Sequence, residues 1–260
     1  MELTLSVVIP AYNEERRLPR TITTIASYLE AQPYACEMIV VDDGSTDQTA
    51  ARAEELGQTS ADVPFRVIRN KHRGKGYTVR TGMLEARGRY VLFTDADLAT
   101  PIEEWDKLYV FLRDGDDVVI GSREGLGAQR IGEPWHRHFM GRIFNGLVRT
   151  VALGGIQDTQ CGFKAFTQPA ARRIFSALQL YGDDARQVRG AAVTAFDVEV
   201  LYLARKWGYS IREVPVIWRY GEETKVDPLR DSWRNFTDVL RVRWNAMRSR
   251  YDERSLPSSQ

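Results

Sequence analysis

Cysteine is nearly absent from this 260-residue chain, Cys36 and Cys161 being the only two. They build neither a disulfide framework nor a CxxC metal site, so a reducing, cytoplasmic setting is the expectation. Histidine is as scarce: His72, His136 and His138 lack the spacing of a zinc helix, and each reads as a solvent-facing or helix-start residue. No uncharged apolar run reaches the roughly 18–20 residues of a membrane span, and strand-like text begins almost at once, without a signal-peptide pattern. Charge of one sign is not in excess either. Lys and Arg number 36 against 35 Asp and Glu, a formal +1, which offers no general field for nucleic acid. Repeats and low-complexity tracts are missing, and only 255–260 reads as a disordered tail. What these absences leave is a soluble or peripheral domain whose 43% hydrophobic content is ample for a buried core.

The chain does hold a series of apolar runs that end in acidic or turn-forming residues. Leu5–Ile9 leads into Pro10-Ala11-Tyr12-Asn13-Glu14, Glu37–Val41 into Asp42-Asp43-Gly44-Ser45, and Tyr90–Phe93 into Asp95-Ala96-Asp97. The last is the most informative, because two carboxylates beyond a strand suit a hard dication that keeps substrate phosphates in its shell. Each motif taken singly is ordinary turn or helix-start chemistry. Helical patterns near 15–31, 46–57, 74–87 and 103–113 alternate with strands near 65–69, 89–94 and 117–120. That order predicts an α/β domain with a mainly parallel central sheet. The C-terminal strand edge of such a sheet is its ligand crevice, and the three motifs converge there.

Beyond Gly121-Ser122-Arg123 a glycine-rich, charged stretch to Pro134 reads as a mobile loop. Helices, a strand over 210–218 and a basic terminal helix follow. Arg73-Gly74-Lys75-Gly76 permits close backbone approach to phosphate and adds a point charge, without the spacing of a Walker motif; a helix entry with a solvated lysine is the other reading. Asp197 is either a base or acceptor-positioning residue or the N-cap of a helix over 198–206.

Pro10-Ala-Tyr-Asn-Glu14, Asp42-Asp-Gly-Ser45, Arg73-Gly-Lys-Gly76, Asp95-Ala-Asp-Leu-Ala-Thr-Pro101, Gly121-Ser-Arg123, Asp158-Thr-Gln-Cys-Gly-Phe-Lys-Ala-Phe166 and Phe196-Asp-Val-Glu199 together resemble glycosyltransferase family 2. The likeness runs over about residues 5–225, and within the family it is greatest to the polyprenyl-phosphate group that holds the dolichyl-phosphate β-glucosyltransferases. It implies a GT-A fold, the Rossmann-like form of nucleotide-diphospho-sugar transferases, as a single domain over 1–228, with 229–260 as a terminal amphipathic basic helix and tail. It implies inverting transfer of a hexose, glucose from UDP-glucose first and mannose from GDP-mannose as the alternative, to a polyprenyl phosphate. A non-catalytic sugar-nucleotide-binding or membrane-scaffold module is the reading from another class.

By position, the resemblance gives base and ribose to Pro10, Tyr12, Glu14 and Asp42, and donor contacts to Lys75 and Asp95. Mg²⁺ or Mn²⁺ falls to Asp95 and Asp97, with Asp97 the more direct ligand and, beside Asp197, a catalytic residue. Ala99 stands where mannosyl relatives often carry an amide ligand. The acceptor phosphate falls to Arg123, Arg137, Arg219 and Lys225, since the arginine fork matches phosphate oxygens; Lys164 is next in line. A phosphate monoester with a second pKa near 6 is already mostly dianionic at neutral pH, so a dedicated base is optional.

Leu229, Trp233, Phe236, Leu240, Trp244 and Met247 fall at helical spacing among Arg230, Arg234, Arg241, Arg243, Arg248 and Arg250. Such a helix lies in an anionic membrane interface or docks its stripe on the core. The first reading makes the protein peripheral at the cytoplasmic face of a membrane. Arg241-Val242-Arg243-Trp244 lacks the glutamine of the QxxRW signature, Leu240 standing in its place, which argues against processive polymerisation.

Overall fold

The computed structural model describes residues 2–59, 63–132, 155–182, 185, 187–188, 196–221 and 228–252, the first turns of the last helix by their backbone alone. In chain order they form β1 (Leu3–Ala11), α1 (Leu18–Glu30), β2 (Ala35–Asp42), α2 (Thr49–Thr59), β3 (Phe65–Arg69), α3 (Lys75–Glu85) and β4 (Tyr90–Thr94). A 3-10 turn (Ile102–Glu104) leads into α4 (Trp105–Arg113), β5 (Val118–Ser122), β6 (Gln129–Ile131), β7 (Phe163–Thr167) and α5 (Gln168–Ser176). Then come α6 (Phe196–Lys206), β8 (Ile211–Pro215), β9 (Ile217–Arg219) and α7 (Pro228–Met247).

Seven strands make one sheet in the order β3-β2-β1-β4-β7-β5-β8. All pairings are parallel except those of β7, which runs antiparallel between β4 and β5. Both faces are covered, so the strands read as continuous apolar runs, and the period of two sorts them. Val8, Ile39, Val41, Val91 and Phe93 face the core that holds α3, α5 and α6; Val7, Ile9, Met38, Val40 and Leu92 face the one under α1 and α4. Each fully buried side chain of this kind contributes about 1.5–3 kcal/mol.

Three features depart from expectation. Residues 163–167, not expected as a strand, form β7 at the heart of the sheet. The stretch 124–134, expected as a mobile loop, contains β6, which pairs with β9 in a separate two-stranded ribbon. The strand expected over 210–218 is two, because Pro215 carries no N–H to continue the ladder; β8 stays in the main sheet and β9 leaves it. The terminal helix shares the domain's core, where Val239, Val242 and, just beyond it, Tyr251 are buried with α6.

Candidate active site at the strand edge

The ends of β1, β2 and β4 meet as expected, and backbone and hydroxyl hydrogen bonds tie β1 to β2 and α1 to the β4 end. Asp43 N donates to Ala11 O (2.9 Å), Asn13 N to Ser45 Oγ (2.9 Å), and Thr21 Oγ1 to Ala96 O (2.6 Å). Asn13 (φ 53°) and Leu98 (φ 48°) sit in the left-handed region at two of these turns. Asn tolerates it, while for Leu98 it costs about 1–2 kcal/mol, a strain placed directly after Asp97.

At the β1–β2 corner Tyr12 lies flat on His72, ring centroids 4.0 Å apart and planes 2° from parallel. His72 Nδ1 meets Asp43 Oδ2 at 2.8 Å, and Asp43 also accepts from the amides of Arg73 and Gly74, both at 2.9 Å. His72, expected as a solvent-facing or helix-start residue, is therefore part of this corner. Asp42 is buried; its Oδ2 accepts from Ser45 N (3.2 Å), and its Oδ1 has no partner among the described residues. Pro10 is buried inside β1 opposite Val41. The Glu14 carboxylate is closed by the fork of Arg17 at 2.7 and 2.8 Å.

The β4 end carries the charges. Lys75 Nζ, on the first turn of α3, lies 2.5 Å from Asp95 Oδ1. Burial works against the ammonium, but Asp95 and Asp197 together hold its pKa above the ordinary value. Asp97 Oδ1 accepts from Ala99 N (3.0 Å), and burial, reinforced by the charge of Asp95, pushes its carboxyl up. Gly162, just ahead of β7, makes room for Asp95: its carbonyl accepts the Asp95 amide (3.2 Å), and it presents no side chain to the carboxylate.

Asp197 is not an N-cap, because α6 already begins at Phe196; its buried Oδ1 instead accepts from Lys164 Nζ at 2.5 Å. Burial raises its carboxyl, and Lys164 and then Lys75 oppose that rise. Arg123 spends its fork on Asp158, at 2.7 and 2.9 Å, with the Arg123 amide on the same carboxylate and the guanidinium 5.4 Å from the Trp218 ring. It reaches a ligand only by giving up that pair. Arg219 is exposed at the end of β9, and its amide donates to Ala99 O at 2.7 Å, which ties the β6–β9 ribbon to the loop of Asp97. Arg137 and Lys225 lie outside the described residues.

Among the described residues no group of three or more His, Cys, Asp and Glu gathers around one point. The charge of Asp95 adds to the cost of ionising Asp97, which a dication relieves, and a hard ion with two protein oxygens completes its shell with phosphate and water. The donor set fits a divalent ion that arrives with a diphosphate.

Residues 6–175 match the family described as Glycosyl transferase family 2. The chain belongs to glycosyl transferase family 2. It is 39% identical over 239 residues to a dolichyl-phosphate beta-glucosyltransferase of Drosophila melanogaster, covering 87% of this chain and 70% of that one. It is 38% identical to the Homo sapiens protein of the same name, covering 92% and 74%. Among solved structures it resembles glucosyl-3-phosphoglycerate synthase from Mycobacterium tuberculosis in complex with UDP, with a TM-score of 0.63, 22% identity and coverage of 93% and 80%. Mannosyltransferase PcManGT from Pyrobaculum calidifontis, in complex with GDP-Man and Mn2+, follows at 0.59, 19%, 95% and 65%. The architecture is thus the GT-A fold, and the family is one of glycosyltransferases.

Four residues that support the candidate site residues carried no such role in the sequence reading: His72, Asp43, Gly162 and Asp158. Lys164 was read only as a reserve phosphate ligand. A signal for it existed, since a lysine inside the apolar run Phe163-Lys164-Ala165-Phe166 is buried only if paired.

Proposed function

We propose that this protein transfers glucose from UDP-glucose, with inversion, to a polyprenyl phosphate of the dolichyl type. The observation that carries the donor half is the buried Asp42 Oδ1, unpartnered among the described residues and one register position from the Tyr12–His72 stack. A carboxylate oxygen there calls for an N–H or O–H donor, which the uracil ring and the ribose hydroxyls supply. Stacking on the aromatic corner supplies the rest of the base contact. The names of the 38–39% identical relatives favour glucose over mannose. A non-catalytic scaffold has no use for the Lys75–Asp95–Asp97 cluster.

The acceptor, mostly a dianion at neutral pH, attacks the anomeric carbon as the bond to the diphosphate breaks, and the charge that develops on the departing UDP is the main thing to stabilise. Lys75, beside Asp95, is the residue that neutralises it. Asp95 and Asp97 would hold Mg²⁺ or Mn²⁺, which when bound supplies further neutralising charge at the diphosphate. Arg219 is the acceptor-phosphate residue among the described cations, Arg137 and Lys225 join it in the proposed set, and Arg123 stays on Asp158.

Membrane access falls to the outer face of α7. No described helix is long and apolar enough to cross a membrane. Val239, Val242 and Asn245 turn inward, whereas Leu240, Trp244 and Met247 are 46%, 53% and 65% exposed, with Arg248 over the Trp244 ring at 4.5 Å and Arg241 and Arg243 beside them. Core docking and interfacial contact are therefore compatible, one on each face. On this reading the protein is peripheral at the cytoplasmic face of a membrane.

The test is incubation with a panel of nucleotide sugars and short polyprenyl phosphates, Mn²⁺ or Mg²⁺ present, with lipid products identified by mass. A hexosyl-phosphoprenol formed from UDP-glucose is the expected product; one formed from GDP-mannose alone reverses the donor assignment.

A further inference from the structure

Lys164 lies on β7, opposite Phe93 of β4 and Ile120 of β5, and is fully buried. An ammonium is tolerated there only when its charge and its N–H groups are met. Nζ donates to Asp197 Oδ1 and to Cys161 O, both at 2.5 Å, and sits 5.4 Å from the Phe93 ring centroid. On the far side Asp197 feels Lys75, which is itself bonded to Asp95, so the charges alternate Lys164, Asp197, Lys75, Asp95 from the sheet interior out to the crevice. Asp197 Oδ2 takes no hydrogen bond among the described residues, and its side chain keeps 8% exposure.

We propose that Lys164 is a positioning residue for sugar transfer: it anchors Asp197 by one oxygen and leaves the second to act on the reacting groups beside Lys75. A purely structural tie between β7 and α6 would use the same bond, so the readouts must separate the two. The activity readout rests on the transferase reading above.

The variants Lys164→Met, Lys164→Arg, Asp197→Asn and Lys164→Met/Asp197→Asn are compared by glucosyl transfer to a short polyprenyl phosphate, calorimetric UDP binding with Mn²⁺, and thermal melting. Lys164→Met is expected to lower kcat by about 100-fold, the scale of a misplaced proton-transfer or orienting group, with the KM for UDP-glucose and the UDP Kd within about threefold of wild type. The acid limb of its kcat profile moves to higher pH, because Asp197, faced by Lys164, Lys75 and Asp95, loses its main counter-charge. Lys164→Arg restores part of the rate, and the double variant is no slower than Asp197→Asn. A folded Lys164→Met enzyme with wild-type kcat, a loss confined to melting temperature and donor affinity, or additive effects in the double variant overturn the proposal. Should Lys164→Met fail to fold, the double variant removes both buried charges together and is compared with Asp197→Asn: rates equal within about threefold support the proposal, and a further tenfold loss, or an Asp197→Asn enzyme as fast as wild type, overturns it. If the wild type transfers no glucose to any polyprenyl phosphate, the transferase reading fails instead, and hydrolysis of UDP-glucose provides the same comparison among the variants.

Discussion

A Cβ placed on Gly162 would fall 2.0 Å from Asp95 Oδ2. The strand that splits the sheet therefore leaves a gap at its entrance, and the carboxylate fills it. Gly162→Ala is expected to push Asp95 off Lys75, at an overpacking cost of about 1–3 kcal/mol. UDP affinity measured calorimetrically should fall more with Mn²⁺ present than without it. An alanine variant with wild-type Mn²⁺-dependent affinity would show that Asp95 takes no part in metal or donor binding.

Asp97 is tested by charge alone. Asp97→Asn keeps size and the hydrogen bond from Ala99 but removes a carboxylate that a dication needs, so kcat should drop by about 100-fold or more. Excess chelator should do the same to the wild type. Full turnover in chelator would sink the metal assignment.

Glu199 makes a pH prediction about stability. It is fully buried on α6, accepts from the amides of Gln179 and Leu180 and from Tyr251 Oη, and burial pushes its pKa up from 4.5 to about 7. Folded protein thus holds a proton that unfolded protein has released between these values, so the stabilising contribution is complete below about 4.5 and is lost as pH rises through about 7. Glu199→Gln, which stays neutral, should gain stability relative to wild type as pH goes from 5 to 8, by on the order of 3 kcal/mol at most, at 1.36 kcal/mol per unit. Thermal melts across that range check it, and a pH-independent difference contradicts it.

How far the sequence spoke depended on whether the signal was local. The apolar runs of β1, β2 and β4 and their acidic ends are contiguous text, and the placing of Asp42, Asp95 and Asp97 along one sheet edge follows once the sheet is parallel. β7 was hidden because Phe163–Thr167 pairs only with strands about 70 residues upstream and about 45 residues upstream, and a lysine interrupts its apolar run. The partners of that lysine, of Arg123 and of His72 come from other elements; sequence names the charges but not which ones cancel. The split of 210–218 was legible in Pro215, whereas the pairing of its second half with 129–131 was not.

The two faces of α7 answer differently to mutation. Trp244→Ala and Arg248→Ala should weaken sedimentation with anionic liposomes, the more so at low salt, because exposed charges are screened over about 10 Å at 0.1 M. Neither should lower the melting temperature appreciably. Val242→Ala, on the buried face, should cost about 1–3 kcal/mol of stability and leave liposome binding unchanged. Salt-insensitive sedimentation, or none, would leave α7 with core docking alone.

Arg219 and Arg123 separate acceptor recognition from structural pairing. Arg219→Lys keeps the backbone bond to Ala99 and the charge but loses the fork, so the KM for polyprenyl phosphate should rise about tenfold, the equivalent of a charge-assisted hydrogen bond worth about 1.4 kcal/mol. UDP affinity should change less, since the backbone tie to the Asp97 loop is kept. Arg123→Lys should act first on folding. Burial alone would raise the Asp158 carboxyl, and Arg123, by charge, fork and amide, holds it well below the ordinary range. A depressed folded pKa stabilises above the unfolded value of 3.8 and is lost as pH falls below it, so the deficit of Arg123→Lys should be full at neutral pH and shrink in acid. If Arg219→Lys leaves the acceptor KM at the wild-type value while Arg123→Lys raises it without lowering the melting temperature, the roles are exchanged. Arg123 would then release Asp158 to grip the lipid phosphate, and Arg219 would serve only to hold β9 against the loop of Asp97.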